Sequence, residues 1–408
     1  MPRNLISLID GTMVSASQTS EYGSYSNIFE LACLLQLSDR SEDGSPQIVF
    51  YTSGISSQPD TSSAYNLLTG NSIKSQIVDQ YTNICANFDF AAAKAGKPDK
   101  IYLFGFSRGA MAIRALCGLI AEFGLLEPRD IRHLPIILDR WDRSQGIGGV
   151  PSGINLVEVD IEFVGLFDSV MGGIERLSMF NPVRFTNSQM PLRCKRGIQI
   201  LAIDENRGLF KPKPWQGIKR AENRKDARAG RYMRQIWMPG VHSDVGGTGN
   251  PTWGWASLLA MVFYLERQTS LGLSREWVAR LEDKLRRAVE AERHFINLHK
   301  RYFTNFIRRP SGEDAWFERR HPIGEILRRV NYNGREPYDW REKVLEARYK
   351  GIETDDDLFA YFDSIFRGDA PPVLTAEVID AADHADGVDD VRSSPDQSHR
   401  SSDRPRAE

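Results

Sequence analysis

Gly105-Phe106-Ser107-Arg108-Gly109 sets a serine between two glycines, directly after the apolar run at 100–104 and directly before a helical pattern. A strand that turns sharply into a helix pushes the hydroxyl of such a serine out at the end of a sheet. The glycines remove side chains that would clash inside the turn. The helix starts at the same place, so its first N–H groups and positive dipole end face any oxyanion formed there. The chemistry implied is nucleophilic attack on an acyl carbon. The competing reading is a structural turn whose serine does nothing.

A serine hydroxyl is a weak nucleophile near neutral pH, so it needs a base and a group that orients the base. After such a turn the partners follow in the order Ser, Asp or Glu, then His, each beyond the carboxyl end of a later strand. Of seven histidines, His133 precedes the expected acid, His294, His299 and His321 fall in a helical region, and His384 and His399 fall near the C-terminus. His242, in Pro239-Gly240-Val241-His242, sits in a loop right after a strand and is the candidate base. Two acids have the right address, Asp168 and Asp204, each closing an apolar strand. Asp204 has the alternative of bracing a loop through Arg207, and Asp244, two residues past His242, is expected to hold the loop. For the oxyanion, one donor is expected from the N–H of Arg108. The other is expected from the loop after the first strand, at Gly11 or Thr12. In the alternative reading, Asp10-Gly11-Thr12 is only a turn, with Asp10 bonded to its own backbone.

Strands are predicted at 4–9, 46–51, 100–104, 159–167, 198–203 and 233–238. Most are near-continuous apolar runs, as strands buried on both faces should be. Helices are predicted between them at 25–36, 72–93 and 109–123. The alternation predicts an α/β fold, a mostly parallel sheet flanked by helices, over 1–253. From 254 to 366 long charged amphipathic patterns such as 275–300 predict a helical cap or extra helical layer. The segment 367–408 is rich in Asp, Ser and Arg and is predicted to be disordered.

In the 408 residues, apolar content of 41% and charged content of 26% match an ordinary globular protein, and a net charge of −2 gives no argument for nucleic-acid binding. No window reaches the roughly 18 apolar residues of a membrane span, and the N-terminus does not read as a signal peptide. A cytoplasmic site of synthesis is therefore expected. The four cysteines, Cys33, Cys85, Cys117 and Cys194, show no metal or redox spacing and are expected to be free, buried thiols. Neither G-x-G-x-x-G nor a P-loop lysine stands at the relevant turns, which sets aside nucleotide binding.

Ile9-Asp10-Gly11-Thr12, Ser26-Asn27-Ile28, Tyr51-Thr52-Ser53-Gly54, the run from Leu103 to Ala115, the run from Phe163 to Val170, Leu201 to Glu205, and Trp237 to Gly247 occur in this order. Together they resemble a family of bacterial and fungal α/β hydrolases that includes the class 1 phospholipase effectors of type VI secretion. The resemblance implies an α/β-hydrolase-like fold, a triad of Ser107, Asp168 and His242, and lipase or phospholipase chemistry; attack by Ser107 with His242 as base is expected to need no metal or organic cofactor. It also implies export by a signal-independent route, with a secretion or immunity protein as partner. The sequence departs after Thr12, where Met13 and Val14 replace the family's aromatic residue and Asn.

The stretch 207–234 is basic and contains Trp215. Peripheral contact with an anionic membrane and a solvated insertion loop both fit it. Two other functions remain open: a soluble carboxylesterase or thioesterase, and a silent hydrolase fold serving as a binding adaptor.

Overall fold

Among the described residues of the computed structural model, seven parallel strands make one sheet, in the order β2-β1-β3-β6-β7-β8-β9. The strands are β1 (Asn4–Ile9), β2 (Gln47–Thr52), β3 (Lys100–Phe106), β6 (Ile161–Phe167), β7 (Cys194–Ala202), β8 (Tyr232–Met238) and β9 (Glu318–Arg320). A separate antiparallel pair joins β4 (Leu125–Leu126) to β5 (Leu156–Val157). The helices are α1 (Asn27–Leu34), α2 (Asn71–Asn87), α3 (Phe90–Lys94), α4 (Ser107–Phe123), α5 (Leu134–Asp142), α6 (His242–Val245), α7 (Pro251–Gln268), α8 (Arg275–Glu290) and α9 (Asp356–Arg367). The structure describes residues 1–12, 14–16, 23–55, 71–172, 193–215, 232–291, 318–320 and 356–368.

The apolar runs form strands because both faces of the sheet are covered. On one face Leu5, Ile9, Ile101, Leu103 and Leu166 join a core with Ile77 of α2 and Ala110, Ile113 and Leu116 of α4. On the other, α7 packs against β7 and α1, and Gly165 of β6 lies close under Phe104 and the Met261 sulfur. Successive side chains of a strand point to opposite faces, so a continuous apolar run feeds two cores at once.

The expected elements are present with shifted ends. The helix expected over 72–93 is two helices, because Asp89 caps a new start by accepting from Ala92 N–H at 2.9 Å. Its own N–H is held by Asp99. The expected boundary after residue 253 falls inside α7, whose N-terminus is set by Asn250, accepting from Thr252 N–H at 2.9 Å, and by Pro251. Helix α8 buries Val278, Leu281 and Leu285, and Tyr361 of α9 donates to Glu282 of α8 at 2.8 Å. The pattern expected to run to 300 is described to residue 291, and the tail at 369–408 lies outside the described residues. Strand β9 was not anticipated, because Glu318-Arg319-Arg320 offers no apolar run. It pairs at the sheet's edge, where one neighbour suffices. Cys85, Cys117 and Cys194 are buried and in no disulfide, whereas Cys33 is exposed on the outer side of the short α1. No helix among the described residues is long and apolar enough to cross a membrane.

Candidate active site

Every candidate side chain lies at the carboxyl ends of the parallel strands, where crossover loops meet. Asp10 follows β1, Ser107 follows β3, Asp168 follows β6, Asp204 and Glu205 follow β7, and His242 follows β8.

Ser107 is the first residue of α4 and has φ 59°, a left-handed conformation costly for a side chain-bearing residue. The neighbouring glycines make room for it. A Cβ on Gly105 would sit 2.7 Å from the Ala110 Cα, and one on Gly109 would sit 2.4 Å from the Asp10 carbonyl oxygen. Substitution at either would push the elbow off β1 or unwind the first turn of α4. Phe106, at the N-cap position of α4, makes no side-chain cap hydrogen bond. The first N–H groups of a helix lack intrahelical acceptors, so this end is equipped to hold negative charge.

His242 connects the hydroxyl to the acid. Its Nε2 lies 2.9 Å from Ser107 Oγ, and its Nδ1 lies 2.7 Å from Asp168 Oδ2. Asp168 is fully buried, also has positive φ at 38°, and accepts from Ala202 N–H at 3.0 Å through its other oxygen. That second bond fixes the carboxylate plane and leaves Oδ2 for the imidazole. Of the two acids with the right address, Asp168 is thus the one bonded to His242. Asp204 instead accepts from Gly240 N–H at 2.8 Å. It braces the loop before His242 without Arg207, whose guanidinium and amide are held by Glu205. Asp244 accepts from Val241 and Asn250 N–H groups at 3.0 and 2.8 Å, tying together the two ends of the His242 loop.

The loop after β1 departs from expectation at Gly11. Its N–H donates to Asp10 Oδ1 at 2.7 Å, so this amide is already engaged. Asp10 is fully buried and also accepts from Ser26 Oγ at 2.5 Å and Tyr51 OH at 2.8 Å. Burial pushes its carboxyl up to about 6, against the three hydrogen bonds that pull it down. Asp10 is therefore a hub joining β1, α1 and β2. Thr12 is tied to the elbow: its Oγ1 accepts from Arg108 Nε at 2.5 Å. Burial pulls the Arg108 guanidinium down to about 10. Backbone bonds from Val14 N–H to Gly11 O and from Gly54 N–H to Val14 O close the loop where Met13 and Val14 depart from the family pattern.

Sequence reasoning missed Glu205, Arg207 and Phe210 as site residues. Phe210 places its ring 4.8 Å from the imidazole, centroid to centroid, and Phe106 does the same. Their only signal was proximity to the end of β7. The basic stretch lies outside the described residues over 216–231. At its described ends Trp215 is 2% exposed, beneath the Arg114 guanidinium, and Arg207 is paired. Trp215 is therefore unavailable to a membrane surface. No cluster able to hold a metal ion occurs among the described residues.

A parallel sheet with helices on both faces and a strained serine at a strand-to-helix elbow defines an α/β hydrolase-like protein. The chain belongs to the family of type VI secretion phospholipase effector, Tle1-like catalytic domains, whose model matches residues 3–266. It is 30% identical over 235 residues to the uncharacterized protein YEL023C of Saccharomyces cerevisiae, covering 51% of this chain and 32% of that protein. The chain thus spans about a third of the length of that relative. Among solved structures it is similar to a Tle1 effector bound to the VgrG spike of a type 6 secretion system. The identity is 17% and the TM-score 0.36, with 93% of this chain and 82% of that one covered. An uncharacterized protein from Pseudomonas aeruginosa matches at 16% identity and TM-score 0.39, covering 94% and 66%. Apo Thermogutta terrifontis esterase 2 matches at 15% identity and TM-score 0.31, covering 65% and 84%.

Proposed function

We propose that the protein is a serine hydrolase of carboxylic esters, with lipid esters, phospholipids above all, as its substrates. The observation that carries the reading is the continuous hydrogen-bonded line from Asp168 through His242 to Ser107. Family membership supports the lipid choice.

In this mechanism His242 Nε2 takes the Ser107 proton as Oγ attacks the ester carbonyl, and Asp168 stabilises the imidazolium and keeps it oriented. The amides of Arg108 and Thr12 are the candidate oxyanion donors. Collapse of the tetrahedral intermediate breaks the ester C–O bond, and the imidazolium gives its proton to the departing alcohol or lysolipid. Water, deprotonated by His242, then attacks the acyl-enzyme and releases the fatty acid, returning the proton to Ser107. Every step is supplied by the chain's own residues.

The test is product analysis by mass spectrometry from phospholipid vesicles, run beside Ser107→Ala. Free fatty acid and lysolipid from the parent, with at least a thousandfold less from the variant, is the expected result. Equal turnover by Ser107→Ala contradicts the reading. Hydrolysis of short p-nitrophenyl esters without any release from vesicles would move the substrate class to soluble esters and leave the mechanism standing.

A further inference from the structure

Two carboxylates address His242, and the mechanism above uses one of them. Asp168 takes the ring at Nδ1. Glu205, at the end of β7 and fully buried at its side chain, takes the backbone instead: His242 N–H donates to Glu205 Oε2 at 3.2 Å. Glu205 is itself pinned by Arg207. The Arg207 amide and Nε donate to Oε1 at 2.8 and 2.9 Å, and Nη2 donates to Oε2 at 2.7 Å. Burial alone would push the Glu205 carboxyl up, and the Arg207 side chain and amide outweigh it, holding the carboxyl below its ordinary range. The same guanidinium lies 4.0 Å from the centroid of Phe210, and the Phe210 ring lies 4.8 Å from the imidazole. One dipeptide thus divides the work of building the base. Asp204 holds Gly240, and Glu205 holds His242 two residues later.

We infer that Glu205, Arg207 and Phe210 form a clamp that positions the His242 imidazole for proton transfer. Asp168 holds the ring at Nδ1 and Phe106 lies 4.8 Å from it, but neither contact holds the backbone that carries the ring. A clamp on the backbone and an aromatic neighbour on the ring supply that hold. The need is greatest after acyl transfer begins, when the imidazolium must face the leaving oxygen rather than Ser107 Oγ. The clamp reaches from the buried Glu205 to the solvent side of the site: Arg207 and Phe210 are half-buried, and Leu209 between them is 50% exposed. These three are therefore positioning residues, acting on substrate only through His242.

The inference rests on His242 being the base, so the test separates the two claims. Full-length parent, Ser107→Ala, Phe210→Leu, Phe210→Tyr and Glu205→Gln are compared on p-nitrophenyl butyrate and ethyl butyrate by kcat/KM. p-Nitrophenolate leaves without a proton, whereas ethoxide must receive one from the imidazolium. A misplaced imidazolium therefore penalises the ethyl ester selectively. Phe210→Leu and Glu205→Gln should lose about tenfold more on the ethyl ester than on the p-nitrophenyl ester, and Phe210→Tyr should restore the parental ratio. Equal losses on both esters, or none, in folded variants overturn the clamp. Phe210 is half-exposed, so its substitution decides the matter if Glu205→Gln does not fold. Ser107→Ala retaining turnover would instead remove the mechanism on which the clamp depends.

Discussion

Ser107 and His242, the proposed nucleophile and base, are held in different ways. Around Ser107 the constraint is backbone against backbone: Gly109 presses on the Asp10 carbonyl, Gly105 on Ala110, and the serine is strained between them. Around His242 the constraint is side chain against loop. Asp204, Glu205 and Asp244 each accept N–H groups from the segment Gly240–Asn250, and Phe106 and Phe210 flank the ring. A group that must attack one fixed point gains from a rigid elbow. A group that must serve two oxygens in turn gains from a mount that several separate contacts can tune.

The sharpest way to break this comparison is to exchange the acids. Asp168→Asn should lower kcat by about a thousandfold while leaving the melting temperature nearly unchanged, because the amide keeps an acceptor but no charge to stabilise imidazolium. Asp204→Asn should do the reverse, lowering stability by about 1–2 kcal/mol through its buried loop bond with a smaller effect on kcat. Steady-state kinetics beside thermal melts read both, and equal kinetic losses would remove the distinction between acid and brace.

Next in size is Gly109→Ala. Its methyl group would have to displace the Asp10 carbonyl, which should cost about 3 kcal/mol in stability and is read by urea unfolding. A change within about 0.5 kcal/mol would mean the elbow is softer than its geometry implies.

The smallest expected effect is a pH dependence at Asp10. Its folded carboxyl is pushed by burial to about 6, above its ordinary 3.8, so between these values the folded chain binds the proton more tightly than the unfolded one. Stability contributed by this group is therefore present below about 4 and is lost as pH rises through about 6. Asp10→Asn removes the titration. The difference in melting temperature between variant and parent should move in the variant's favour from pH 4 to pH 7, and a pH-independent difference would contradict the assignment.

The same contrast explains what could be read from the sequence. The elbow was legible because its determinants lie within five residues and sit between an apolar run and a helical pattern. His242 was legible by exclusion, as the histidine in a loop after a late strand. The choice between Asp168 and Asp204 was not fixed by position, since both close buried parallel strands. What separates them is sheet order, with β6 beside β3, and the backbone turn at Asp168 that aims its carboxylate at the imidazole. Gly11 and Thr12 looked interchangeable as donors until the Asp10 carboxylate was seen to take the first amide. Glu205 and Phe210 were invisible in their role, because their contacts with His242 span 37 residues for Glu205 and depend on the β7 and β8 loops lying side by side.

The central claim is that His242 makes Ser107 a nucleophile. Reaction of the folded protein with a fluorophosphonate, followed by peptide mass spectrometry, tests it most directly. The account predicts one adduct, on Ser107, absent in Ser107→Ala and slowed at least a hundredfold in His242→Ala. A folded protein that takes no label, or takes it elsewhere at a rate indifferent to His242, would contradict it.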